Sequence, residues 1–149
     1  MLLRNSITIL SWNIQNLAEP WDIRKQLLIE AIHACDPDII AMQEVRHQFR
    51  DRLDQAGEFS AHLKGYHYVV EPASITEGYW EGLATFSRHP ILRYNFFGLS
   101  RDLSDPFDAP HQRIVLATRI AIGDGRSIDV FNTHWSLSER ARRRTSKET

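Results

Sequence analysis

Two stretches decide the fold: Ile7-Thr8-Ile9-Leu10-Ser11-Trp12-Asn13 and Asp38-Ile39-Ile40-Ala41-Met42-Gln43-Glu44. Each is an apolar, largely β-branched run that ends in a polar side chain, the pattern of a buried strand reaching the surface. Between them lies Pro20-Trp21-Asp22, which predicts a helix start with Asp22 as N-cap. Ile23 to Ala34 then continues as an amphipathic helix, with Leu28, Ala31, Ile32 and Cys35 on one apolar face. Asp36-Pro37 ends it, because the residue before a proline is pushed out of the helical region. Strand, helix and strand form a βαβ unit with parallel strands and a right-handed crossover, so Asn13 and Glu44 reach the same sheet edge.

Downstream the period shortens. His47 to about Lys64 is polar and helix-like, with Phe49, Leu53 and Ala56 on one side. Tyr66–Glu71, Gly82–Ser87, Ile91–Leu99, Ile114–Ile122 and Ser127–Thr133 alternate as strands, and Gly123-Asp124-Gly125 predicts a hairpin between the last two. The Asp-, Ser- and Pro-rich stretch from Ser100 to Gln112 is a long loop. Ser136 and Glu139 form a capping box that opens a last short helix.

The 149 residues suit one domain with a core of its own. Hydrophobic residues at 42% and charged residues at 25% exclude a disordered chain, and no apolar run is long enough to span a membrane. The single cysteine, Cys35, excludes an intrachain disulfide and reads as a buried thiol. The N-terminus has too short an apolar stretch for a signal peptide, so the expected location is cytoplasmic. The net charge of −1 divides unevenly, because Arg140, Arg142, Arg143, Arg144 and Lys147 crowd the last ten residues against Glu148 alone. A basic end can touch phosphate, but a charge run is first of all a solvated helix face.

Taken one at a time, the polar residues are weak signals. A lone Glu44 beside Arg46 reads as an ion pair, Asn13 as turn chemistry, His134 as a hydrogen-bonded strand end and Arg113 as a surface arginine. Their order changes the reading. Trp12-Asn13, Gln43-Glu44-Val45, the run Glu81-Gly82-Leu83-Ala84-Thr85-Phe86-Ser87-Arg88-His89-Pro90-Ile91, and Asn132-Thr133-His134 follow one another, each at a strand boundary. In this the chain closely resembles the endonuclease/exonuclease/phosphatase superfamily, over about residues 7 to 142.

The resemblance implies metal-dependent hydrolysis of phosphate esters on an α/β fold. The expected architecture is half or more of a four-layer α/β-β/α sandwich of the deoxyribonuclease-I-like type, one incomplete domain over residues 1–149 with its C-terminal part missing. By the same resemblance Glu44 is the ligand of Mg2+, with Mn2+ as the alternative, and Asn13 supports both the metal site and the scissile phosphate. His134 contacts the phosphate and stabilises its developing charge. Glu81 takes the place of a carboxylate that pairs with this histidine in some nucleases of the family. Arg113 is the phosphate-contacting guanidinium, whose fork suits that task. Tyr79 and Trp80 are aromatic candidates for lining the cleft and stacking on a base. Arg88 fixes a turn.

The family's later motifs, a strand ending in Asp-x-Asn and a terminal Asp-His pair, have no counterpart after His134. The expected partner is therefore a phosphate ester, nucleic acid among the candidates, met by an incomplete catalytic set. The alternative is a non-catalytic descendant that binds a phosphate-bearing or nucleic-acid partner through Arg113, His134 and the basic end. With most of the second sheet expected to be missing, an uncovered apolar sheet face should favour self-association.

Overall fold

The computed structural model describes residues 6–50 and 53–149. Ten elements follow in chain order: β1 (Ile9–Asn13), α1 (Trp21–Cys35), β2 (Ile39–Gln48), α2 (Gln55–His62), β3 (His67–Ile75), β4 (Tyr79–Ser87), β5 (Ile91–Gly98), β6 (Ile114–Gly123), β7 (Arg126–Thr133) and α3 (Glu139–Thr145). They build one sheet of order β1-β2-β4-β3 and a second of order β5-β6-β7. Among the described residues only β1 and β2 pair in parallel, Ile9 opposite Ile39 through Asn13 opposite Gln43, as the βαβ reading requires. The remaining pairs are antiparallel. The first five residues, on which the N-terminal reading rests, lie outside the described residues.

Alternation along β2 and β4 divides the core in two. Ile40, Met42, Val45, Ala84 and Phe86 pack with Trp21, Leu28, Ile29 and Ile32 of α1 and with Ala56, Phe59 and Leu63 around α2. Leu83 on β4 packs instead with Ile114 and Leu116 of β6, between the sheets. Helices, sheet and second sheet are thus stacked layers, as expected for part of a layered α/β sandwich. This chain supplies three strands of the second sheet. Its side chains Leu92, Tyr94, Phe96 and Phe131 are exposed, but not on one face: Phe96 shares the row of Leu116 and Asn132, and Phe131 lies on the opposite face in the row of Ala117 and Asn95.

The sheets are joined by buried amides. The Asn132 side chain, 2% exposed, donates to the backbone carbonyls of Met42 and Ala84, both at 3.0 Å, and these two residues face each other across β2 and β4. Its own carbonyl accepts from Gln43 Nε2 at 2.7 Å, and the same nitrogen reaches the Ala41 carbonyl at 3.2 Å and the Ser11 hydroxyl at 3.3 Å.

Several local readings are corrected. Asp22 lies inside the first turn of α1, where it pairs with Lys25, and Pro20 precedes the helix without a side-chain cap. Cys35 is exposed rather than buried, because it sits at the last turn, past the stretch of α1 that covers the sheet. The last helix is capped by Ser138, whose hydroxyl accepts from the Ala141 N–H at 3.1 Å; Ser136 supports that cap one step back, accepting from the Ser138 N–H. The segment expected to be helical from His47 begins as strand, and helix starts only at Gln55, capped by Asp54. The Gly123-Asp124-Gly125 hairpin is present, all three residues having positive φ.

The basic end is in part engaged within the molecule, although Arg140 and Arg143 remain largely exposed. Arg144 reaches Asp108 at 2.6 Å, Arg140 lies 3.7 Å from Asp102, Arg143 pairs with Glu139 and Arg142 donates to the Ser136 and Leu137 carbonyls. The Arg144 and Arg140 contacts strap α3 to the 100–112 loop, whose buried Asp108 also accepts from the Asp102 N–H. Arg88 does fix a turn: it pairs with Asp36 and lies over the Tyr66 ring.

Because Asn132 satisfies two buried carbonyls at once, Asn132→Leu should cost about 3 kcal/mol in urea unfolding. A loss below about 0.5 kcal/mol, the range of ordinary surface changes, would mean that the amide joint does not hold the sheets.

Candidate active site

The strand-end polar residues converge. The Asn13 Nδ2–H donates to Glu44 Oε1 at 2.9 Å, and His134 Nε2 lies 3.5 Å from Asn13 Nδ2 and 3.6 Å from Glu44 Oε1. Three residues separated by up to 121 positions thus surround one spot at the rim of the two sheets.

Glu44 is placed there by a backbone irregularity. The sequence suggested that the strand ends at Gln43, but β2 runs on to Gln48. Pairing steps from Gln43 opposite Leu83 to Val45 opposite Gly82, which leaves Glu44 as the extra residue of a β-bulge with φ +56°. A left-handed non-glycine residue is strained, and such strain concentrates at functional positions. Gly82 is required beside the bulge, since a Cβ there would collide with the Glu71 carbonyl. The ion-pair reading of Glu44 with Arg46 fails, because Arg46 is buried and pairs with Glu19 at 3.1 Å.

Arg113 is buried rather than a surface arginine. Its Nη1 lies 2.9 Å from His134 Nδ1 and 3.7 Å from Glu81 Oε1. A guanidinium only donates, so Nδ1 accepts, and the single ring proton of the neutral imidazole sits on Nε2, facing Asn13 and Glu44. Glu81 is at the site but does not pair with His134 as expected; it pairs with Arg113 and accepts from the side-chain amide of Asn16. Arg113 stands between the two groups and takes both.

Burial pushes the Glu81 carboxyl up, and the charge of Glu44 pushes the same way, against Arg113, His111 and the Asn16 amide. Burial likewise holds the His134 imidazole below its ordinary value, helped by Arg113 and opposed by Glu44. Burial also lowers Arg113, whose ordinary value lies so far above neutrality that it stays charged.

Tyr79 lies two residues along β4 from Glu81, on the same face by alternation, so the strand directs it to the site side. Trp80 falls on the opposite face and stacks on His47, with centroids 5.3 Å apart and planes 4° from parallel, so it does not line the cleft. The sequence reading passed over Asn16, 3% exposed, which donates its backbone N–H to Glu44 Oε2 at 3.3 Å as well as its amide to Glu81. The signal for it was a second asparagine three residues after the first, in one turn.

Two outcomes follow from this geometry. Glu44→Gly should be about 1 kcal/mol more stable than Glu44→Ala, the reverse of the usual strand preference, because only the positive φ distinguishes them; equal urea midpoints would count against strain at the bulge. For His134, a folded value below the ordinary one means that between the two values the unfolded chain binds a proton that the folded chain does not. Its contribution to stability is therefore full above the ordinary value near 6.5 and is lost as pH falls through the window. Arg113→Met should move the His134 midpoint, read by NMR of the ring protons, upward; an unchanged or lower midpoint would refute the Arg113 effect.

Comparisons with known proteins bear on the fold. No match was found among curated proteins. Among solved structures, an endonuclease/exonuclease/phosphatase from Beutenbergia cavernae DSM 12333 superposes with TM-score 0.78 at 18% identity, over 95% of this chain and 42% of that one. A family protein from Leptotrichia buccalis C-1013-b gives TM-score 0.69 at 21% identity, over 87% and 53%. D. rerio TDP2, complexed with a single-strand DNA product, gives 0.66 at 14% identity, over 95% and 51%. The chain thus spans about half the length of these proteins, and its two sheets and flanking helices are part of a deoxyribonuclease-I-like sandwich. The family profile matches residues 10–147, and with that match the chain belongs to the Endonuclease/Exonuclease/phosphatase family.

Proposed function

We propose that this chain carries the cation-binding and phosphoryl-binding residues of a metal-dependent phosphoesterase that hydrolyses a phosphodiester or phosphomonoester by in-line attack of water. The observation that carries this reading is the approach of Asn13, Glu44 and His134 within 2.9–3.6 Å of one another.

The donor set fits a hard cation. Each Glu44 oxygen takes one N–H donor, from Asn13 and from Asn16, which fixes the carboxylate and leaves lone pairs for an ion. Among the described residues no group of three or more His, Cys, Asp or Glu gathers, but Mg2+ is commonly held by one or two carboxylates with phosphate and water. Mn2+ suits the same oxygens. When bound, the ion would neutralise charge on the phosphoryl oxygens and lower the pKa of a coordinated water.

The chain's own groups have separable roles. Glu44 holds the cation and Asn13 orients Glu44. Arg113, buried and therefore weakly screened, presents its guanidinium to the phosphoryl oxygens, and Glu81 holds Arg113 in place. His134 donates its Nε2 proton to an oxygen whose charge grows in the transition state. Tyr79, two residues along β4 from Glu81 and on the same face, is the aromatic contact for the substrate. Family membership supports phosphate-ester hydrolysis, and the DNA product bound to D. rerio TDP2 supports nucleic acid as one substrate class.

Hydrolysis of bis-p-nitrophenyl phosphate by the purified chain tests the proposal. Because these 149 residues hold no counterpart of the family's later motifs, turnover should be slow but stimulated by Mg2+ or Mn2+, and Glu44→Gln and His134→Ala should each lower it by at least about 100-fold. Metal-independent turnover in Glu44→Gln would overturn it. Salt-sensitive phosphate or nucleic-acid binding with no turnover would favour the non-catalytic descendant instead.

A further inference from the structure

Two carboxylates, Glu44 and Glu81, share this small site, and a single residue bridges them. Asn16 gives its backbone N–H to Glu44 Oε2 at 3.3 Å and its side-chain amide to Glu81 Oε2. Its own carbonyl accepts from the buried Gln55 Nε2 at 3.3 Å, and Gln55 Oε1 in turn accepts the Arg46 N–H at 2.8 Å. Asn16 is therefore anchored from α2 and from the strand that carries the bulge.

The turn leading to Asn16 is shaped for this task. Asn13 Oδ1 accepts the Gln15 N–H at 2.9 Å, Gln15 takes a positive φ of +53°, and the Ile14 N–H continues the β1–β2 ladder to the Gln43 carbonyl at 3.0 Å. Arg24 on α1 donates to the carbonyls of Ile14, Gln15 and Ala18. The backbone from 13 to 16 is held from both sides while the Asn16 N–H and the side-chain amides of Asn13 and Asn16 turn toward the carboxylates.

The chemistry of the bridge matters. Like charges repel, and with Arg113 already answering Glu81, a further lysine or arginine between the two carboxylates would weaken the negative field that attracts a cation. A neutral amide donor orients both carboxylates and cancels neither charge. Groups that hydrogen-bond a metal-ligating carboxylate from behind typically govern affinity by 10–100-fold.

We propose that Asn16 is a positioning residue that yokes Glu44 to Glu81, fixing the spacing of the two carboxylates around the cation position. This rests on the phosphoesterase reading above.

The test is Mn2+ titration of the 149-residue chain, followed by electron paramagnetic resonance of the free ion. The nearly isosteric Asn16→Leu should weaken Mn2+ binding 10–100-fold while still unfolding cooperatively in urea. Glu81→Leu breaks the same link, so the double variant should bind no more than about 3-fold worse than the weaker single variant. Unchanged affinity in Asn16→Leu, or fully additive losses in the double variant, overturns the yoke. Glu44→Gln separates the two proposals: a wild-type chain that binds no Mn2+, or binds it as well as Glu44→Gln does, overturns the metal reading. The metal-free protein gives an independent readout, since the Asn16 side-chain amide signals should shift in Glu81→Leu; signals that stay put overturn the yoke whatever the metal result.

Discussion

The side-chain amide of Asn132 is the joint on which the molecule depends. It is anchored on β7, yet both its N–H groups end on carbonyls of the other sheet, Met42 on β2 and Ala84 on β4, while Gln43 closes the contact from the opposite direction. Apolar contacts between the sheets, through Leu83, Ile114 and Leu116, exclude water but do not set a register, because hydrophobic attraction is not directional. Three hydrogen bonds in a dry interior do set one. Two residues after Asn132 stands His134, and one after Gln43 stands Glu44, so the amides that fix the sheets also bring the imidazole and the carboxylate together.

What gathers at that rim is under tension, and the tension is informative. Glu44 occupies a left-handed bulge, Glu81 is buried near a second carboxylate, and Arg113 is buried between Glu81 and an imidazole. None of this is the cheapest arrangement for stability alone. The local charges balance only in part: Arg113 answers one carboxylate, while neutral amides from Asn13 and Asn16 hold the other. An incoming cation would relieve the repulsion. Strain and unbalanced charge are what a preorganised binding site retains.

The sequence made much of this legible, for physical reasons. Buried strands have to be apolar and have to end somewhere, so Asn13, Glu44 and His134 stood out as polar stops, and the parallel β1–β2 pair followed from the helix between them. The Gly123 turn was legible because glycine is suited to its backbone. The bulge was not, because Val45, Arg46, His47 and Gln48 lack the alternation that announces a strand, and their pairing is enforced by Gly82, Glu81, Trp80 and Tyr79 opposite. Asn16 was missed for a related reason: a turn asparagine has a sufficient local explanation, and only tertiary contact shows what it serves. Arg140 and Arg143 keep 80% of their side chains exposed, as a charge run on a helix face suggests, but the anchoring of Arg144 was not legible because its partner Asp108 lies far back in the chain. Burial of Cys35 was inferred from helical spacing alone, which continues to the last turn although the sheet beneath does not.

The most direct test of the account is a crystal structure of this chain grown with Mn2+ and vanadate, with the metal located by its anomalous signal. The account requires Mn2+ bonded to a Glu44 oxygen at about 2.1 Å, and vanadate oxygens within hydrogen-bond reach of Arg113 and His134. Mn2+ bound away from Glu44, or vanadate bound away from this rim, would contradict it.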